Sequence, residues 1–313
     1  MTYLSRVRIN PLRAESRRLL ANPRALHGAV QGGLPGASDE RVLWRLDADD
    51  PRRPHLVVLT RSRPDWTHVV ERAGWPDADG EHALVRDYTP LLDRIAVGQE
   101  YAFRLTANPV QNTIDPVKPT PRQARRLAEL PPDRKPRGFR LAHRTAAAQL
   151  NWFLTRTARW GFEVPAARTD PTAPGLPGPA GPTGLPDLAN PADPSDPSDR
   201  ASAAVGGTPA PRTTIAHEVR ITARHRHSFR KGGRNGGQAS PADQAGGADQ
   251  AGRGGSGGKG GRGTQVTFHS ATFEGHLRVT DPEALTAHLL GGIGPAKAYG
   301  CGLLTLAPLP AAR

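Results

Sequence analysis

Arg24 and His27 stand three residues apart just behind Asn22-Pro23, a spacing that puts both side chains on one face within the first two turns of a helix. An imidazole near the positive end of a helix dipole can exchange protons close to neutrality, and a guanidinium beside it can meet an anion. Taken alone, the pair also fits an ordinary surface helix that happens to carry a histidine, because the chain has 11 of them.

A second group is GGIGPAKAYGCG over residues 291–302, with Gly292, Gly294, Gly300 and Gly302 around Lys297. Glycine at that density lets the backbone approach a phosphate or another backbone closely, and Lys297 adds a charge. No Gly-Lys-Ser/Thr follows four spacers, and the segment follows a helix instead of opening one, so it is neither a Walker A loop nor a dinucleotide fingerprint. A purely structural turn stays open. The third group is Arg224, His225, Arg226, His227, Arg230 and Lys231 around Phe229. Read as a basic turn between two strands, it suits a phosphate backbone, with a solvated loop as the plain alternative. His225 and His227 have no carboxylate at ligand-like spacing, so no metal site is expected.

The elements that must hold these groups can be read from periodicity. TYLSRVRIN is a strand with Tyr3, Ser5, Val7 and Ile9 on one face. Asn22 caps a helix over 23–31 that Gly32-Gly33 ends. Strands are expected at Val42–Leu46, His55–Thr60 and Glu100–Ala107. From His143 to Trp160, Ala147, Leu150, Phe153, Leu154 and Ala158 recur at helical spacing, leaving Arg144, Arg156 and Arg159 as cations for the opposite face. Ile215–Ala223 and Val266–Val279 read as a hairpin with a very long loop, Asp281-Pro282 opens a helix to Leu290, and Leu303–Leu306 closes the chain. The strand, helix, strand, strand, helix, strand order in both halves implies an α+β protein of two tandem ferredoxin-like (RRM-like) modules, antiparallel sheets with helices on one face, over residues 1–120 and 121–313. The open faces, or the cleft between the modules, suit single-stranded or hairpin RNA.

Composition agrees. Lys+Arg 42 against Asp+Glu 29 leaves +13 over 313 residues, which favours a polyanionic partner. Residues 170–212 hold 11 of the 32 prolines and residues 232–263 hold 14 of the 35 glycines, both without an aromatic. They read as disordered insertions in the second module, and the positive charge belongs to the remainder. One Cys excludes a disulfide scaffold and a Cys-based zinc site. No apolar run approaches the roughly 18 residues of a membrane span, and the N-terminus reads as a strand, so no membrane association and a cytoplasmic location are expected.

The segments YLSRVRIN, ANP followed by His27 after three intervening residues, VLWRLD at 42–47, YAFRLTANPV at 101–110, GF at 161–162, ATFEGHLRVTDPEAL at 271–285 and GGIGPAKAYGCGLLTL at 291–306 together resemble the CasE family. These are the crRNA-processing endoribonucleases of type I-E CRISPR systems, subunits of Cascade in the RAMP superfamily. The resemblance covers nearly the whole chain apart from the two insertions.

The resemblance implies binding of a CRISPR repeat stem-loop and one cut at the 3′ base of the stem. No metal or other cofactor takes part: the ribose 2′-OH attacks, giving a 2′,3′-cyclic phosphate and a 5′-OH. The family's catalytic histidine corresponds to His27. The tyrosine common three residues before it is Arg24 here, so Arg24 is expected to supply the cation and His27 the acid or base; a non-catalytic crRNA-binding scaffold is the alternative. The family's basic hairpin corresponds to Arg226, Arg230 and Lys231, with Arg156, Arg159 and Lys297 as further expected RNA contacts. Its glycine-rich loop corresponds to Gly292 to Gly302 and is expected to pack the C-terminal strand. The expected partners are the crRNA stem-loop and the other Cascade subunits.

Overall fold

The computed structural model describes residues 1–36, 40–76, 78, 80–114, 119, 121–129, 138–167, 217–231 and 264–309. The insertions read at 170–212 and 232–263 lie outside the described residues. The first sheet has the order β2-β3-β1-β4, from strands β1 (Tyr3–Arg8), β2 (Leu43–Asp47), β3 (His55–Thr60) and β4 (Ala83–Asp87). Helices α1 (Ala14–Ala21), α2 (Pro23–Gln31) and α3 (Thr67–Ala73) supply Leu19, Leu26, Val30 and Val69 to a core with Val7, Trp44, Leu56 and Val58. All ladders in this sheet are antiparallel. α2 begins where the sequence places it: the Asn22 side chain accepts from the Arg24 amide, and Pro23 occupies the first turn, where its missing N–H costs nothing.

The second sheet runs β11-β5-β10-β8, from β5 (Glu100–Ala107), β8 (Phe162–Glu163), β10 (Thr264–Val279) and β11 (Leu304–Ala307), with β9 (Val219–Lys231) also paired to β10. Over it lie α6 (Ala146–Leu154) and α7 (Pro282–Gly291), the latter capped by the Asp281 side chain as expected. A short helix α4 (Thr89–Leu92) joins the two sheets. Strands β6 (Val110–Thr113) and β7 (Phe139–Ala142) form a separate pair, and α5 (Pro121–Ala128) lies between them in sequence. Phe103 and Phe273 each stack on Phe153 at the centre, with Phe153 and Phe273 4.7 Å apart and Phe162 tilted against Phe103 and Phe153.

Three sequence expectations are corrected. Glu100–Ala107, assigned to a first module ending near 120, pairs antiparallel with β10 and β11 and so opens the second sheet. Alternation fixes the faces of a strand but not its neighbours. The helix expected over His143–Trp160 is shorter: Thr145 caps it, it ends at Leu154, and a 3-10 turn follows at Ala158–Trp160. Its buried face is Gln149, Trp152 and Phe153, and Ala147 and Ala158 are exposed, because Trp152 donates to the Val110 carbonyl while Gln149 is held between the His143 carbonyl and Arg224. Finally, the basic segment RHRHSFRK is strand throughout, paired to Lys231 opposite Thr264.

The modules meet where β2 and β3 turn Leu43, Val57 and Leu59 toward Leu303 and Tyr88. Arg45, only 3% exposed, lies in this seam. It binds the Asp47 carboxylate at 2.6 and 2.9 Å and donates to the carbonyls of Arg104 and Leu303.

Candidate nucleic-acid interface and active site

His27 is half-buried on α2, and its Nδ1 accepts a hydrogen bond of 3.2 Å from Trp44 Nε1 on β2. Trp44 is 2% exposed, so its indole N–H needs a partner inside the protein, and His27 supplies it. Arg24 is exposed one turn before His27. α2 and β2 both pack against the 3-10 turn Lys297–Tyr299 of the glycine-rich loop.

That loop is built around Trp44. Gly300 has φ 82°, and a Cβ there would lie 2.7 Å from Trp44 Cζ3; at Gly292, φ 73°, it would lie 2.7 Å from Leu43 Cδ2. Both positions need a left-handed backbone and the absence of a side chain, so the glycines serve close packing on β2. Lys297 Nζ donates to the Gly291 carbonyl at 2.6 Å and braces the loop, while burial and then the nearby Arg41 push its pKa down.

The basic strand reaches the same place. Tyr299 meets Phe229 edge-on at 5.0 Å and stacks on Phe268 at 5.7 Å, over the buried Cys301. His227 stacks on Phe268 at 4.5 Å and pairs through Nε2 with Ser270 Oγ at 2.8 Å. Burial, with His225 and His269 adding repulsion, pushes His227 down to about 4. On the other face Arg224 donates to Gln149 and to the Arg144 carbonyl. Burial first, then Arg144, Arg226 and Arg224, pushes His269 down. Arg226 is exposed, and Arg230 and Lys231 continue the same paired strand.

The structure thus gathers α2 with Arg24 and His27, the loop with Lys297 and Gly300, and the face of β9 that carries Phe229; Arg226 lies on the opposite face of that strand, with Arg224. It sets Arg159 apart, and it turns Arg156 onto Trp152, whose ring lies 3.8 Å from the position of a Cβ on Gly294. Arg156 donates to the Trp152 carbonyl and covers the Trp152 ring at 5.2 Å, and burial pushes its pKa down. The turn carrying Arg159 packs at the start of α7, whereas the glycine-rich loop follows its end. The length of that helix, about 15 Å, separates the two. Sequence reasoning missed Trp44, Arg45 and Tyr299. The available signal was a tryptophan in a short strand, since a buried indole needs an acceptor.

The CRISPR associated protein family matches the chain over residues 2–308. The chain belongs to this CRISPR-associated family. Within it, the CRISPR-associated endoribonuclease Cse3 of Thermus thermophilus is 26% identical over 310 residues, 98% of this chain and 100% of that protein. The Cascade subunit CasE of Escherichia coli is 49% identical over a shorter stretch of 47 residues, 15% of this chain and 24% of that one. Among solved structures, Thermus thermophilus Cse3 bound to an RNA representing a pre-cleavage complex superposes with a TM-score of 0.55 at 22% identity. That match covers 98% of this chain and 99% of the other, and so shows the shared fold of this CRISPR-associated chain. No helix among the described residues is long and apolar enough to cross a membrane.

Proposed function

We propose that this chain is a site-specific endoribonuclease of CRISPR RNA that binds a repeat stem-loop, cuts it once at the 3′ base of the stem, and stays on its product within a cytoplasmic Cascade-type assembly. The observation that carries this reading is the packing of one turn, Lys297–Tyr299, against both the His27 helix and the basic β9–β10 hairpin. A duplex held along the hairpin by phosphate contacts then ends beside α2, where the bond is cut.

The chemistry fits those groups. The ribose 2′-oxygen forms a bond to phosphorus while the bond to the 5′-oxygen breaks; the 2′-hydroxyl loses its proton and the departing 5′-oxygen gains one. His27 serves proton transfer, and Arg24 stabilises the charge building on the non-bridging oxygens, the part most enzymes of this type give to fixed cations or N–H groups. No metal ion is required by this step.

The test is to incubate the protein with repeat hairpin RNA in EDTA. One cut leaving a 2′,3′-cyclic phosphate is expected, with His27→Ala abolishing the cut and retaining affinity. Loss of cutting in EDTA overturns the mechanism. Binding without cutting by the unaltered protein makes it a crRNA-holding scaffold.

A further inference from the structure

Trp44 touches His27 at the nitrogen that decides which way the imidazole can work. An indole N–H only donates, so the His27 Nδ1 at 3.2 Å must be an acceptor, and the proton of the neutral ring is then on Nε2. Both partners are held: the indole is 2% exposed and lies on Gly300, where no side chain fits, and His27 is fixed on α2 against the same loop.

We propose that Trp44 is a positioning residue that holds His27 as the Nε2–H tautomer, so that the ring presents a hydrogen-bond donor, and not a lone pair, at Nε2. Resting on the reading of His27 as catalytic, this deepens it by separating two roles. Taking the 2′-hydroxyl proton at Nε2 would require the other tautomer and the loss of the Trp44 bond. Giving a proton from Nε2 to the departing 5′-oxygen starts from the charged ring and ends on that same other tautomer, whereas donating a hydrogen bond from Nε2 of the neutral ring to a non-bridging phosphoryl oxygen leaves the Trp44 bond in place. Trp44 therefore assigns the resting His27 ring to the non-bridging oxygens of the phosphate and leaves the 2′-hydroxyl to another acceptor, such as water.

A charged His27 ring would set Nδ1–H against the indole N–H, so the bond belongs to the neutral ring alone. The titratable groups on the elements packed against His27 include Arg24 on α2, Glu15 paired with Arg18 and the neighbouring Arg17 on α1, Arg41 ahead of β2, and Lys297 with Tyr299 on the 3-10 turn. They are unchanged when Trp44 is replaced, so a shift in His27 titration on that replacement reports the indole.

The experiment is nitrogen-15 NMR of the labelled full-length protein without RNA, followed by the same titration on Trp44→Phe. The unaltered protein is expected to show the neutral His27 protonated on Nε2. Trp44→Phe is expected to raise its titration midpoint by about half a pH unit to one unit, the worth of one neutral hydrogen bond. Cutting should slow by roughly 2- to 10-fold, with RNA affinity kept. A neutral ring protonated on Nδ1 in the unaltered protein, a measurement that needs no variant, overturns the proposal. So does an unchanged midpoint in Trp44→Phe. Normal cutting by His27→Ala would instead overturn the catalytic reading of His27, and the positioning role with it, whatever the tautomer.

Discussion

Arg45 Nη1 donates to the carbonyl of Leu303 at 3.1 Å, joining residues 258 apart in sequence and one sheet to the other. The same guanidinium donates to the Arg104 carbonyl and binds Asp47, while Arg104 pairs with Asp49 and Glu274. Arg45 is thus the buried centre of a charged seam one residue from Trp44. Arg45→Ala leaves Asp47 and two carbonyls short of a donor, and is expected to cost about 3 kcal/mol in urea unfolding. Arg45→Lys should recover little of it, because an ammonium cannot reproduce the planar fork. A loss below about 1 kcal/mol would show that the seam is held by its apolar residues.

Gly300 and Gly294 make a matched pair. Both have a left-handed backbone, φ 82° and 74°, but a Cβ at Gly300 meets the Trp44 ring at 2.7 Å, and at Gly294 the nearest atoms are 3.8 Å away. Gly294→Ala is expected to cost only the backbone strain, about 1 kcal/mol, and Gly300→Ala about 2–3 kcal/mol. Cutting should fall with Gly300→Ala alone, which single-turnover kinetics on repeat RNA can read.

The salt dependence of RNA binding separates the two groups of arginines. Arg230→Ala with Lys231→Ala is expected to flatten the log-log salt slope by about two units, one per phosphate contact. Arg156→Ala with Arg159→Ala, the first turned onto Trp152 and the second at the start of α7, should leave the slope unchanged. An equal effect from both pairs would place the RNA along α6 instead of the hairpin.

His227 gives the hairpin a pH dependence. Its folded value is pushed down to about 4 from the ordinary 6.5, so between those values the unfolded chain binds more protons and stability falls as the pH falls. The loss begins near pH 6.5 and is complete below about 4. The ring is half-buried, so solvent screening reduces the loss to roughly 1–2 kcal/mol. Amide exchange along β9 and β10 should quicken over that window, and His227→Phe should remove the effect. An unchanged exchange rate from pH 7 to 4.5 would refute it.

Local signals in the chain were enough for much of this protein. Asn22-Pro23 set the start of α2 and Asp281-Pro282 that of α7, because capping is decided within four residues. His55–Thr60 was legible as a strand with its observed bounds, but the order of elements counted Glu100–Ala107 in the first module, and its ladders place it in the second sheet. Spacing put His27 and Arg24 on one face of a helix, and only the family resemblance singled them out as candidates for catalysis. The basic segment was misread as a turn: both its faces are polar or aromatic, so the alternation that marks a half-buried strand was missing, and only its ladder with β10 defines it.

What tertiary structure decided is which side chains meet across long separations. Nothing local couples Trp44 to His27, seats Gly300 on Trp44, or brings Tyr299 to Phe229. Those relations exist because β2 is held by β3 at the edge of the first sheet while the glycine-rich loop is held between α7 and β11 in the second. The sequence by itself determined which residues could do chemistry. The packing of one sheet against the other determined the surroundings of His27, because a hydrogen bond needs two partners in register and only the folded core supplies both.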